Sequence, residues 1–460
     1  MINVVLLERY NYGENLAEAF LNYEDVHVRV LCVGNEIEKN YYRNNSRVDI
    51  VLSRDSGEIY NTEAIESIVY DEIRKYKNIQ SDFESGMGRF VHDYHMVKFL
   101  YYRSLSYWIN VFSNNSINLV VVKADIHGMA DDIIPLEIAK QKGIPCFLIS
   151  TSGNGMFALK CYNSGEFVKN RKNIPIQIDN AKYYKWDFNG TSNNKFFWKS
   201  LIKAFIYKIG GATLENCISD ILHLKFTHQY MGMYGSEYTT FDYVRSFFKY
   251  KYVETKLRKM LVKPDYSQNY IVLYLHLEPE ATIQIKPLIQ TQLLAIKMLA
   301  KALPPNWVLY VKEHRAQYML NRREAFYYML SRNKYKTVRF YKEIANSRNV
   351  KLIDMDCPAA ELMDNAKAVA TFSGTIALEA SDKRVPVLLF DSENTVYQYH
   401  KDYICIRSYY DLISGLERVC SGWRPEYKNL KELFENYVVE ADQDGFKRIT
   451  ENIMTIIRGI

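Results

Sequence analysis

Short apolar runs alternate with helix-period segments from the first residues onward. Ile2 to Leu7 is an apolar run, Glu14 to Tyr23 has helical spacing, and Val26 to Val33 alternates before Gly34. The unit recurs further along. Asn118 to Lys123 reads as a core strand, Asp131 to Lys142 as a helix, and Cys146 to Ser150 as a second strand. Between the last two, Gly143-Ile144-Pro145 supplies the stop and turn that a helix-to-strand joint needs. A second series begins with the strand Asn269 to His276 and a helix from Ile285 to Ala302. Strands at Trp307 to Val311 and Val350 to Ile353 follow, then a short helix from Ala359 to Asn365. Ala366 to Phe372 reads as a strand, Thr375 to Ser381 as a helix, and Val385 to Phe390 as a strand. Strands alternating with helices predict parallel sheets covered on both faces. The expected fold is therefore α/β, with two doubly wound, Rossmann-like domains facing a cleft. The first domain is expected over 1–185 and the second over 266–425. Between them, 186–265 reads as a helical, aromatic and basic insertion, and 426–460 as a helical tail.

A length of 460 residues is too great for one ordinary core and fits two or three domains. With 48% hydrophobic and 24% charged residues, disordered, collagen-like and coiled-coil chains are excluded. The surplus of 59 Lys and Arg over 53 Asp and Glu is mild, a net +6. It allows an anionic substrate or an anionic membrane surface and does not call for nucleic acid. Seven scattered cysteines without a CxxC pair argue against a disulfide framework or a zinc site. No run approaches the roughly 18 apolar residues of a membrane-spanning helix. Glu8 and Arg9 cut the first apolar run short, as a buried strand would end and a signal peptide would not. The expectation is a cytoplasmic protein.

In open α/β sheets, ligands bind beyond the carboxyl ends of the strands. Three such ends in the second series carry chemistry. The first begins at His276 and runs through Glu278, Pro279 and Glu280. The second is Lys312-Glu313-His314-Arg315, and the third is Ser373-Gly374-Thr375. The third leads from a strand into a helix, so backbone N–H groups and two hydroxyls meet the positive end of a helix dipole. That suits a phosphate. Ser373 or Thr375 would equally suit a plain helix N-cap, but Lys312 and His314 on another strand end favour the phosphate. In the first series, the strand ending at Lys123 is followed by His127, Asp131 and Asp132. A carboxylate or imidazole there could deprotonate an acceptor hydroxyl, or a carboxylate could act as nucleophile. Asp131 and Asp132 would also suit the start of the next helix. No DxD-type pair stands at a strand end, so no metal is expected. The lack of a Walker motif and of GxSxG removes the main support for NTPase and α/β-hydrolase readings.

The insertion carries its own pattern. From Lys195 to Ile209, Trp198, Leu201, Ile202, Phe205 and Ile209 share one helical face, while Lys195, Lys199 and Lys203 recur every four residues. Such a helix can lie in the headgroup region of an anionic membrane or pack its apolar face on a core. Basic and aromatic residues also interleave from Arg245 to Lys263.

Three segments carry a family resemblance. LHLEPEAT (275–282), YVKEH (310–314) and TFSGTIALEA (371–380) resemble, in order and spacing, the C-terminal motifs of bacterial capsular polysaccharide biosynthesis glycosyltransferases. That group includes Kdo transferases of the GT-B fold, and its His-Pro and Ser/Thr motifs are similar to those of bacterial sialyltransferases. The resemblance covers about 268–392 and, more weakly, 118–152. One departure is that His314 is followed by Arg315 where the group usually has Pro. The resemblance implies transfer of a sugar, a CMP-linked acidic sugar among the options, from a nucleotide-activated donor to a growing surface polysaccharide or lipid-linked acceptor. It implies that His314 contacts the donor phosphate, that Ser373 and Thr375 hold it, and that Glu280 faces the ribose or base. Gly374, Lys312 and His276 are expected in the same donor site. The nucleotide-sugar is a substrate, so no cofactor is expected, and an anionic membrane at the inner face of the cytoplasmic membrane is the expected surface partner. The competing readings are a CDP-polyol phosphotransferase of teichoic-acid type and a non-catalytic glycan assembly or export factor.

Overall fold

The computed structural model describes residues 1–8, 16–53, 70–89, 91, 93–124, 132–153, 156–171, 240–280, 289, 291–318, 334–390, 393, 395–440 and 443–459. They fall into two compact units. One draws on Met1–Tyr183 and Lys431–Ile460, the other on Gly235–Leu430.

The first unit is built on seven strands: β1 (Ile2–Glu8), β2 (Val26–Val33), β3 (Val48–Ser53), β4 (Leu119–Ala124), β5 (Cys146–Gly153), β6 (Met156–Cys161) and, from the far end of the chain, a last strand Val438–Glu440. The first five are parallel, in the order β5-β4-β1-β2-β3. β6 folds back antiparallel on β5, and Val438–Glu440 pairs antiparallel with β6. Val4 to Leu7 are completely buried, as expected of a central parallel strand covered on both faces. On one face the helix Leu16–Leu21 contributes Leu16, Ala17 and Phe20, and the helix Gln443–Arg458 contributes Phe446, Ile449 and Ile453. The end of the chain is thus part of the first unit's sheet and core. It is not helical throughout, because three residues of it complete a sheet edge. A strand that short leaves no period to read.

The second unit continues the numbering with β7 (Asn269–Tyr274), β8 (Trp307–Lys312), β9 (Val350–Ile353), β10 (Ala368–Thr371), β11 (Val387–Leu389) and β12 (Ile404–Cys405). All are parallel, in the order β12-β11-β10-β7-β8-β9. Numbered by appearance this is 6-5-4-1-2-3, the doubly wound order of dinucleotide-binding domains. The chain winds outward from β7 to β9, then returns past β7 to lay down β10. The topological switch point therefore lies between β7 and β10.

The helix Thr240–Arg258 joins this unit's core. Tyr250, Val253 and Leu257 are buried against Ile271, Leu273, Leu309 and Val311, a three-to-four residue spacing that lines one helix face. The aromatic and basic stretch from Arg245 onward is therefore in part a core element, with Lys251 and Arg258 both paired to Glu254. The lysine-rich segment from Lys195 to Ile209 lies outside the described residues. Among the described residues, no helix is long and apolar enough to cross a membrane.

Candidate functional site

Register fixes the geometry of the second sheet's ligand edge. Leu273 of β7 stands opposite Ala370 of β10 on one side and Val311 of β8 on the other. Because all three strands run parallel, their carboxyl ends open at the same edge.

His276 lies two residues past β7, at the switch point. Its ring Nε2 accepts the backbone N–H of Ser373 at 3.4 Å and lies 3.3 Å from the Thr371 hydroxyl. Phe372 meets the ring edge-on. With Nε2 acting as acceptor, the neutral ring carries its hydrogen on Nδ1. Burial pushes the His276 pKa down to about 4, and the nearby positive charge of Lys336 acts in the same direction. The ring is neutral at neutral pH, so it shapes the site as an acceptor and supplies no positive charge.

Gly374 lies in close approach to Thr371 and His276. A Cβ there would stand 3.0 Å from the Thr371 hydroxyl and 3.3 Å from His276 Nε2. Beside it the Ser373 Oγ is buried with no hydrogen-bond partner among the described residues. Buried hydroxyls are normally paired, so this one is available to a ligand oxygen. Thr375 occupies the N-cap position of the helix Ile376–Asp382, yet its side chain makes no cap bond. Neither hydroxyl is spent on the capping role that the sequence left open.

A buried polar frame holds His276 from behind. Its N–H donates to Gln292 Oε1 at 2.7 Å, and Gln292 Nε2 returns to the His276 carbonyl and the Glu278 carboxylate. Gln317 receives the Glu278 N–H at 3.0 Å and donates to the Glu278 carbonyl. The Lys336 ammonium donates to the His276 carbonyl at 2.9 Å and to Glu313 Oε1 at 2.7 Å. Glu313 also accepts the His314 N–H at 2.7 Å and the Tyr341 hydroxyl at 2.6 Å. Burial raises the Glu278 pKa, opposed by Lys336 and Gln292.

Not all the expected donor residues reach this group. His276, Ser373 and Gly374 meet directly, with Thr375 next in the chain. His314 is half-buried and is tied to the same frame through Glu313. Lys312 is buried and donates to the carbonyls of Asp354 and Met355 at 3.2 and 3.0 Å, which lie beyond β9 and away from β10. Glu280 is half-buried, with its N–H on the Leu277 carbonyl at 3.2 Å; no described contact brings it or Lys312 against Ser373. Sequence reasoning passed over Lys336, Gln292 and Gln317. The sequence offered only a Gln opening the helix Gln292–Ala302, and its complete burial is seen in the structure alone.

The first sheet has its own switch point, between β1 and β4. Glu8 ends β1, and its carboxylate accepts the N–H groups of Leu16 at 2.7 Å and Ala17 at 3.0 Å. Lys123 near the end of β4 lies 3.8 Å from it, with its ammonium 4.5 Å from the Phe446 ring centre. Burial pushes the Glu8 pKa up to about 7, against the pull of Lys123 and the two N–H donors. Asp132 is buried immediately before the helix Ile133–Gln141 and makes no side-chain cap bond. Asp131 and His127 lie outside the described residues. Among the described residues, no group of three or more His, Cys, Asp or Glu is placed to hold a metal ion.

No family model matches the sequence, and no curated protein matches it. Among solved structures, it is similar to a UDP-GlcNAc 2-epimerase of Methanocaldococcus jannaschii in complex with UDP-GlcNAc and UDP. That match has 12% identity, covers 99% of each chain and has a TM-score of 0.28. It is also similar to KpsC, a β-Kdo 2,7 transferase of Thermosulfurimonas dismutans, at 12% identity over 71% of this chain and 87% of that one, with a TM-score of 0.26. A third is the wall teichoic acid polymerase TagF, at 10% identity, 100% and 89% coverage and a TM-score of 0.24. At these scores the likeness carries no functional weight, which rests on the chain's own residues.

Proposed function

We propose that this chain is a glycosyltransferase that uses a nucleotide-activated sugar and holds the donor phosphate at the switch point of its second sheet. The carrying observation is the meeting of His276 with Ser373 and Gly374 at that point. The N–H groups of Ala377 and Leu378 are taken by the carbonyls of Gly374 and Thr375, which leaves those of Gly374, Thr375 and Ile376, beside two uncommitted hydroxyls, to meet a ligand. A phosphate leaving group gathers charge as the sugar departs, and fixed dipoles aimed at it stabilise that charge without a metal. His314, set by Glu313, is the proposed source of positive charge. Asp132, Asp131 or His127 of the first unit is the proposed base or nucleophile for the acceptor. Glu280 and Lys312 serve in the donor site only if ligand binding draws them in. The resemblance of the three strand-end motifs to capsule-synthesis transferases supports a surface polysaccharide or lipid-linked acceptor, and a lipid-linked one would bring the protein to an anionic membrane.

The test is product analysis with CMP-, UDP-, GDP- and CDP-linked donors, with and without glycan acceptor. Release of free sugar and nucleotide, or sugar transfer, supports the reading. Release of polyol phosphate from a CDP-polyol moves the chain to the teichoic-acid type of phosphotransferase. Nucleotide binding without any product makes it a non-catalytic assembly factor.

A further inference from the structure

The residue that ties the phosphate site together lies well outside the three strand-end motifs. Lys336 and Glu313 form an ion pair at 2.7 Å whose side chains are 1% and 0% exposed. Replacing a buried ion pair by apolar residues is often neutral or stabilising, so such a pair is poor evidence of a stability role. Its contacts point elsewhere. The ammonium grips the carbonyl of His276, 60 residues earlier in the chain. The carboxylate grips the N–H of His314 with the same Oε1 that meets the ammonium, while Tyr341 fixes its Oε2. Tyr318 in turn donates to Tyr341 at 3.0 Å. One buried pair therefore holds both histidines by their backbone, one at the end of β7 and the other at the end of β8.

We propose that Lys336 is the positioning residue of the donor site, setting His276 and His314 on one frame so that the His276 ring can receive the Ser373 N–H and hold the Ser373-Gly374-Thr375 turn in its binding shape. This rests on the proposed donor-phosphate reading, but its mechanical content can be read without any donor. Lys336 does not touch the nucleotide. It acts through the His276 carbonyl and through Glu313, and the turn on β10 registers its loss because His276 Nε2 is the turn's acceptor.

The experiment compares the wild type with Lys336→Met and with the double variant Lys336→Met/Glu313→Gln, which avoids leaving a lone buried carboxylate. Folding is checked by circular dichroism and melting. In the free protein, nitrogen-15 spectra report the His276 tautomer and the Ser373 and Gly374 amides. Affinities for CMP, UDP, GDP and CDP are then measured by calorimetry. The expected result for the folded double variant is a displaced Ser373 amide, loss of the single Nδ1–H pattern of His276, and a tenfold or greater loss of affinity for whichever nucleotide the wild type binds. An unchanged Ser373 amide and His276 pattern would overturn the proposal, and so would displaced signals with unchanged nucleotide affinity. If the wild type binds none of the four nucleotides while the two signals still move, Lys336 stands as the positioning residue of the turn and the donor-phosphate reading falls alone.

Discussion

The ring Nε2 of His276 lies 3.4 Å from the backbone nitrogen of Ser373, 97 residues further along the chain. Together with the 3.3 Å approach of the same nitrogen to the Thr371 hydroxyl, this bond extends the tie between β7 and β10 beyond the end of their ladder at Leu273 and Ala370. It also explains Gly374, since a methyl group there would press on both Thr371 and His276.

Gly374→Ala is expected to leave the fold intact and to weaken nucleotide binding, because the turn must move by a few tenths of an ångström away from His276. Ser373→Ala removes one hydroxyl and leaves the backbone donors. A hydrogen bond to a charged group is worth roughly 1.5–3 kcal/mol, so the loss should be about tenfold to a hundredfold in affinity. Calorimetric titration of the two variants and the wild type checks both. Full affinity in Gly374→Ala would show that the close approach has no bearing on the ligand.

Buried groups should contribute to pH dependence in opposite senses, the histidines His276 and His400 on one side and the carboxyls of Glu8 and Glu278 on the other. In the second unit, burial pushes both His276 and His400 down to about 4. Their unfolded forms take up protons below about 6.5, while the folded forms resist until about 4. Their contribution to stability therefore falls as pH drops through this window. In the first unit, Glu8 is raised to about 7. Its contribution is fully present below about 4.5 and is lost as pH rises toward 7. The shifts of His276, His400 and Glu8 each correspond to roughly 3–4 kcal/mol at most. Hydrogen exchange resolved by unit and corrected for intrinsic rate should show each contribution. His276→Gln should reduce the acid-side loss in the second unit, with His400 supplying the rest, and Glu8→Gln should reduce the loss toward pH 7 in the first.

Asp132→Asn is expected to lower turnover far more than donor affinity, since the residue lies outside the proposed donor site. Asp131→Asn and His127→Ala extend the series along the same strand-end segment. Initial rates and donor Kd, measured separately, decide the matter. Unchanged turnover in all three variants removes this segment from the chemistry.

The lysine row of Lys195, Lys199 and Lys203 is expected to mediate binding to anionic vesicles that weakens with added salt. Lys199→Glu combined with Lys203→Glu should abolish co-sedimentation with such vesicles. Retention of the double variant, or no wild-type binding even at low salt, contradicts a membrane role for this row.

Much of the second sheet was legible because its central strands are buried on both faces and read as apolar runs, and even the edge strand interrupted by Lys351 stands out. Val350 to Ile353 appears in the structure with the bounds the pattern predicts. His276, Ser373 and Gly374 could be singled out because each follows such a run directly. Lys336 could not, because Asn333, Lys334 and Tyr335 precede it in place of an apolar run, and its partners are a distant carbonyl and a carboxylate read only as part of the Lys-Glu-His motif. Lys312 looked like a free cation for the same local reason that His276 looked functional, yet its ammonium turns to the carbonyls after β9. Strand-end position is written in the sequence. The direction in which a long side chain reaches is settled by packing, as it is for Glu8, whose carboxylate turns back onto the next helix.

The most direct test of a donor phosphate at this switch point is a nucleotide titration of nitrogen-15-labelled protein, followed at the amides of Ser373, Gly374 and Thr375 and at the His276 ring. A nucleoside mono- or diphosphate should shift all four groups at its binding concentration, while the matching nucleoside without phosphate leaves them in place. Saturable nucleotide binding that leaves those four signals unmoved would place the phosphate elsewhere and contradict the account.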